Sequence, residues 1–120
     1  MKKRIISIGI LYHLSFVEEY AMTNDMEHIN VFDVFDPDDV FKIVLSDRYD
    51  YIYIHLKHLD GTLENILLMF QKLLEAINSE TKIIIGASEY LPESDIIVKL
   101  RNLGISNFIF ADTLFEQKDE

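Results

Sequence analysis

Short runs of aliphatic and β-branched residues alternate along this chain with stretches whose apolar residues recur at helical spacing. No other feature restricts the fold as much. A strand buried on both faces reads as a nearly continuous apolar run, whereas a helix with one buried face repeats every three to four residues. Ile5-Ile6-Ser7-Ile8-Gly9-Ile10 has the first character. Residues 13–22 have the second, with Leu14, Val17 and Ala21 on one stripe, Phe16 and Tyr20 beside it, and Glu18 and Glu19 on the wet side.

A second strand is expected over 28–35, where Asn30 and Asp33 interrupt Ile29, Val31 and Phe35. Polar residues inside a strand suit a sheet edge better than a centre. Asp36-Pro37-Asp38-Asp39 then reads as a helix start: Asp36 as cap, Pro37 in the first turn and acids at the positive end of the dipole. That helix turns Val40, Phe41, Val44 and Leu45 inward and stops near Asp47. Residues 49–56 form a third strand, with Ile52 and Ile54 on one face and Tyr51 and Tyr53 on the other. Gly61 marks a turn before the longest helix, 62–78, whose stripe is Leu63, Ile66, Leu67, Phe70, Leu73, Leu74 and Ile77. A fourth strand spans 82–87, and Pro92, Glu93 and Asp95 open a helix bearing Ile96, Ile97, Leu100 and Leu103. Gly104 followed by Ile105 is a helix stop, and 107–111 forms the fifth strand.

Such alternation with short loops implies parallel strands joined by right-handed crossovers, an α/β sheet with helices on both faces. With the second strand at an edge, the order 2-1-3-4-5 follows, the flavodoxin-like arrangement. The expected domain spans 1–112, and 113–120 is a tail, the start of a truncated last helix or a linker. Eight residues are too few for a full covering helix. Either one sheet face is partly bare and pairs with another molecule, or the natural protein continues past Glu120.

A chain of 120 residues without cysteine has no disulfide framework and no thiolate chemistry, which suits the reducing cytoplasm. Its net charge of −10 repels phosphate backbones and argues against nucleic acid. No apolar run approaches the roughly 20 residues a bilayer span needs. The basic start Met1-Lys2-Lys3-Arg4 precedes an apolar stretch too short for a signal peptide.

Tyr49-Asp50-Tyr51-Ile52-Tyr53-Ile54-His55-Leu56, then Asp60-Gly61 and a long helix, resembles the middle of a response-regulator receiver domain. Ser46-Asp47-Arg48 before it and Leu103-Gly104-Ile105-Ser106-Asn107-Phe108 near the end fit the same pattern. The resemblance implies a CheY-like fold and a site that takes phosphate on an aspartate ending the third strand. In that family two acids after the first strand hold Mg²⁺, a hydroxyl ends the fourth strand and a lysine ends the fifth. Here the acid positions hold Gly9 and Ile10, the acceptor position His55, the hydroxyl position Ala87 with Ser88 adjacent, and the lysine position Ala111. Phosphoryl transfer needs a carboxylate nucleophile, a cation and donors, so the resemblance carries over the layout without the chemistry. Phe108 matches the family's switch aromatic, but without a phosphosite a large residue filling an edge-strand pocket is the preferred account of it. The start Ile6-Ser7-Ile8-Gly9-Ile10 and the end Asn107-Phe108-Ile109-Phe110-Ala111-Asp112 are also similar to degenerate receiver modules that precede a P-loop ATPase of the pilus-assembly and septum-site type. No P-loop occurs here, so such an ATPase would lie beyond Glu120.

His55-x-x-His58 with Asp60 has the residue types of a metal site. Two histidines three apart at a strand end do not obviously converge, and a solvated loop accounts for them. Asp36, Asp38 and Asp39 are explained by capping, and Gly9 by a tight turn. No catalytic residue, metal or cofactor is therefore expected. The expected function is a phosphorylation-independent regulatory module that docks a protein partner or a second copy around residues 95–112, with Leu100, Leu103, Phe108 and Phe110 on the interaction face. The alternative is a small-ligand sensor using a crevice at Gly9, His55 and Ser88.

Overall fold

The structure, a computed structural model, describes residues 2–9, 14–88 and 90–110, with the backbone alone for 14–16. Five parallel strands form one sheet in the order β2-β1-β3-β4-β5. The strands are β1 (Arg4–Ile8), β2 (Glu27–Val31), β3 (Tyr51–His55), β4 (Lys82–Gly86) and β5 (Asn107–Ile109). Between them run α1 (Leu14–Thr23), α2 (Pro37–Val44), α3 (Leu63–Ala76) and α4 (Asp95–Asn102). A single 3₁₀ turn, Leu56–His58, follows β3 directly. The flavodoxin-like order expected from the alternation is the one observed.

Local chemistry sets the helix boundaries. The Asp36 carboxylate accepts from the amide of Asp38, and Pro37 occupies the first turn of α2, as the sequence predicts. Thr62 Oγ1 accepts from the Asn65 amide and starts α3. At the end of α4, Gly104 takes φ +108°, its amide donates to the Arg101 carbonyl, and the Ile105 amide reaches back to Leu100. This is a Schellman closure, with buried Ile105 folded against the helix it terminates.

Strand parity divides the molecule into two unequal cores. Ile6, Ile8, Ile52, Ile54, Ile83 and Ile85 face α2, α3 and α4 and form the larger one, closed by Val40, Val44, Ile66, Met69, Phe70, Leu73, Ile97 and Leu100. On the other face Ile5 and Tyr53 pack with Val17, Ala21 and Met26 under α1. Beyond α1, among the described residues, Tyr51, Ile84 and Ile109 stay half-buried and line an open groove of about 520 Å³ with Tyr20 and Asn107.

β2 is shorter than the expected 28–35. Its register against β1 ends at Ile8↔Val31, with the Gly9 amide donating to the Val31 carbonyl, so among the described residues Phe32–Phe35 have no ladder to join and form a loop. Leu45, expected inward, is 37% exposed, while Met69 is a core residue that the α3 stripe omits. Residues 111–120, and with them the expected tail, lie outside the described residues.

Candidate functional site

In an open α/β sheet, ligands bind at the carboxyl ends of the strands where the strand order reverses. Here that point lies between β1 and β3, and Gly9 stands at it with φ +72°. A Cβ on Gly9 would sit 2.2 Å from the Cβ of His58 and 2.3 Å from its Cγ. The position therefore requires glycine twice, for its backbone and for its neighbour. His58 arrives from the 3₁₀ turn after β3, its Nε2 is 2.8 Å from the Val34 carbonyl, and its ring stacks on Phe35 at 4.4 Å. A carbonyl only accepts, so this nitrogen carries a proton. The Asp60 amide donates to the Phe35 carbonyl at 2.9 Å, a second staple between the same two loops. The space above Gly9 is thus occupied by a side chain of the chain itself.

His55, the last residue of β3, is fully buried. The Lys57 amide donates to its Nδ1 at 3.2 Å, so that nitrogen is unprotonated in this geometry. The proton of the neutral ring then sits on Nε2, which donates to Ser88 Oγ at 2.9 Å. Gly86 lies across from His55 in register, and a Cβ there would be 2.1 Å from the Tyr53 hydroxyl and 2.8 Å from His55 Cδ2. The phenol and imidazole are therefore packed down onto bare backbone. His55 and Ser88 do come together, while Gly9 is capped by His58 instead.

The other receiver-like positions divide. Ala87, expected at the hydroxyl position, is buried in the larger core and donates its amide to the Ile109 carbonyl at 2.8 Å. Ile10 and Ala111, at an acid position and the lysine position, lie outside the described residues. His55 and His58 diverge, one toward Ser88 and the other over Gly9. Among the described residues no group of three or more His, Asp or Glu side chains is placed to hold a metal ion.

On the proposed interaction side, Leu100 is fully buried and Leu103, Phe108 and Phe110 are half-buried. The Phe108 and Phe110 rings lie 6.2 Å apart, and the Arg101 guanidinium sits 5.2 Å over Phe108. Leu100 acts from within, fixing α4, whereas the two aromatic rings reach the surface.

One polar pair is invisible in the sequence. Ser7, fully buried in β1, lies 2.7 Å from His28 Nε2 on β2. Burial pushes the His28 pKa below its usual 6.5, with Glu18 pulling weakly the other way. Only the parallel register, which sets β2 beside β1, brings these two together.

Comparison with solved structures places this architecture. The chain superposes on the chemotaxis response regulator CheY4 of Vibrio cholerae with TM-score 0.64 and 13% identity, covering 99% of this chain and 98% of that one. A chain in the co-crystal structure of the Saccharomyces cerevisiae phosphotransfer protein Ypd1 with the receiver domain of Ssk1 matches with TM-score 0.58 and 9% identity, over 98% of this chain and 84% of that one. A mutant receiver domain of the histidine kinase CKI1 from Arabidopsis thaliana matches with TM-score 0.55 and 15% identity, over 98% and 90%. No family model and no curated protein matches the chain. The fold is receiver-like. No helix among the described residues is long and apolar enough to cross a membrane.

Proposed function

We propose that this chain is a pseudo-receiver, a regulatory protein-interaction module whose output does not depend on phosphorylation. The observation that carries the reading is His55. It stands where a receiver presents its carboxylate nucleophile, buried, with Nδ1 accepting from Lys57 and Nε2 directed at Ser88. A side chain so engaged offers no anionic oxygen for phosphoryl attack and no site for the Mg²⁺ that such a reaction uses.

Interaction is supported by the groove beside β5. Half-buried Tyr51, Ile84 and Ile109 make an apolar strip next to the Phe108–Phe110 edge. The occupant is a protein partner or a second copy of this chain. Ypd1 and the Ssk1 receiver domain, a structural match, were crystallised together, so this fold serves as a protein partner elsewhere. An ATPase domain farther along a longer natural chain would supply a partner in cis.

The test is intact-mass spectrometry after incubation with Mg²⁺ and acetyl phosphate, alongside sedimentation velocity over a range of concentrations. The mass stays unchanged, and reversible self-association appears that Ile109→Ser weakens. A phosphoryl adduct would overturn the phosphorylation-independent reading, and a strictly monomeric chain would overturn self-association. Saturable thermal stabilisation by a nucleotide or metabolite would favour the ligand-sensor alternative at Gly9, His55 and Ser88.

A further inference from the structure

The β2–α2 loop sits on the opposite side of the sheet from β5 and presents aromatic residues to water. Phe32 is 63% exposed and Phe35 45% exposed, although neither chain continuity nor capping requires an aromatic at either place. Scattered apolar residues on a surface need no explanation; Phe35 differs in that its neighbours hold it in place. Val34, Phe35 and Ile43 form the apolar part of an open groove of about 530 Å³. Its presentation is fixed by the bonds that close the neighbouring loop: His58 to the Val34 carbonyl, the Asp60 amide to the Phe35 carbonyl, and the Phe35–His58 stack. An aromatic already immobilised loses little freedom when it is covered.

The rim of this groove selects the partner. Asp33, Asp36, Asp39 and Asp60 border it, and Lys42 is the cation among its lining residues. The carboxylates surround an apolar floor within a chain of net charge −10. We propose that this groove docks a cationic protein segment carrying one large apolar anchor, whose lysines or arginines meet the aspartate rim while the anchor covers Phe35. A purely apolar occupant would leave the rim charges facing it unpaired, and a purely cationic one would leave the aromatic floor wet. The surface is separate from the β5-side groove and does not depend on whether His55 is chemically silent.

The experiment is an amide NMR titration of the full chain with a short synthetic peptide of lysines flanking a central Leu-Phe pair. Two control peptides replace the flanks with glutamate or the central pair with Gly-Gly. Saturating shifts are expected at residues 31–43 and 58–69, from the lysine/Leu-Phe peptide alone. Affinity falls about tenfold on Phe35→Ser, as for a buried aromatic anchor, and also falls as salt rises. Asp39→Asn, on the exposed rim, is a second variant that leaves the His58 stack intact and also weakens binding of the lysine-flanked peptide. Shifts that fail to saturate, equal binding of the Gly-Gly control, or unchanged affinity in both the Phe35 and the Asp39 variants would overturn the proposal.

Discussion

Gly86→Ala tests the packing beneath the candidate site. Gly86 does not have positive φ, so alanine is allowed by the backbone and only the space for its methyl group is in question. That methyl would lie 2.1 Å from the Tyr53 hydroxyl, 2.7 Å from Tyr53 Cζ and 2.8 Å from His55 Cδ2. Neither ring has room to retreat. Tyr53 is 1% exposed among Ile5, Val17, Ala21 and Met26, and His55 is tied to Ser88 at 2.9 Å. Overpacking of this kind costs about 1–3 kcal/mol, against roughly 0.5–1 kcal/mol gained by restricting the unfolded chain. A net loss of about 1 kcal/mol lowers the urea midpoint by roughly 0.5 M and Tm by roughly 5 °C. The sharper assay is a double-mutant cycle with Tyr53→Phe, which removes the atom at 2.1 Å but keeps the ring carbon at 2.7 Å. The two changes couple favourably by about 0.5–3 kcal/mol. A Gly86→Ala protein within about 0.5 kcal/mol of the parent, or strictly additive losses, would refute the reasoning.

Gly9→Ala combines a left-handed backbone with the His58 contact and destabilises by about 2–5 kcal/mol, read by urea unfolding. The same variant in a His58→Ala background recovers little, because the nearest obstructing atom is the His58 Cβ, which alanine retains. His28 is held below its usual pKa of 6.5 by burial, so the unfolded chain takes up its proton first as pH falls. The contribution of this group is complete above pH 6.5 and is lost progressively below it. His28→Gln keeps a hydrogen-bonding partner for Ser7 and flattens that part of the stability–pH curve; an unchanged difference between the two proteins across this range would contradict the assignment.

The sequence reported the fold through cues that act locally. Asp36-Pro37 and Gly104-Ile105 start or end helices by bonds within a few residues, and structure and expectation agree there. The division of β3 into Ile52/Ile54 and Tyr51/Tyr53 faces follows from strand periodicity alone. Where β2 ends was hidden, because it depends on the length of its partner β1 rather than on the apolar character of Phe32 and Phe35. His58 was unreadable for a similar reason. Its place over Gly9 and against Val34 is set by three segments meeting at one end of the sheet. The His55–Ser88 bond joins residues 33 apart, and the sequence grouped them only because one ends and the other follows strands whose carboxyl ends had to be neighbours.

On the proposed pseudo-receiver reading, the receiver-like end of this sheet accepts neither a phosphoryl group nor its cation. The most direct measurement is an amide-resolved NMR titration of the full chain with Mg²⁺ and then a small phosphodonor, observing Gly9, His55 and Ser88. These three amides are expected to hold their positions through both additions. Shifts there that saturate with Mg²⁺ or with the phosphodonor would contradict that reading.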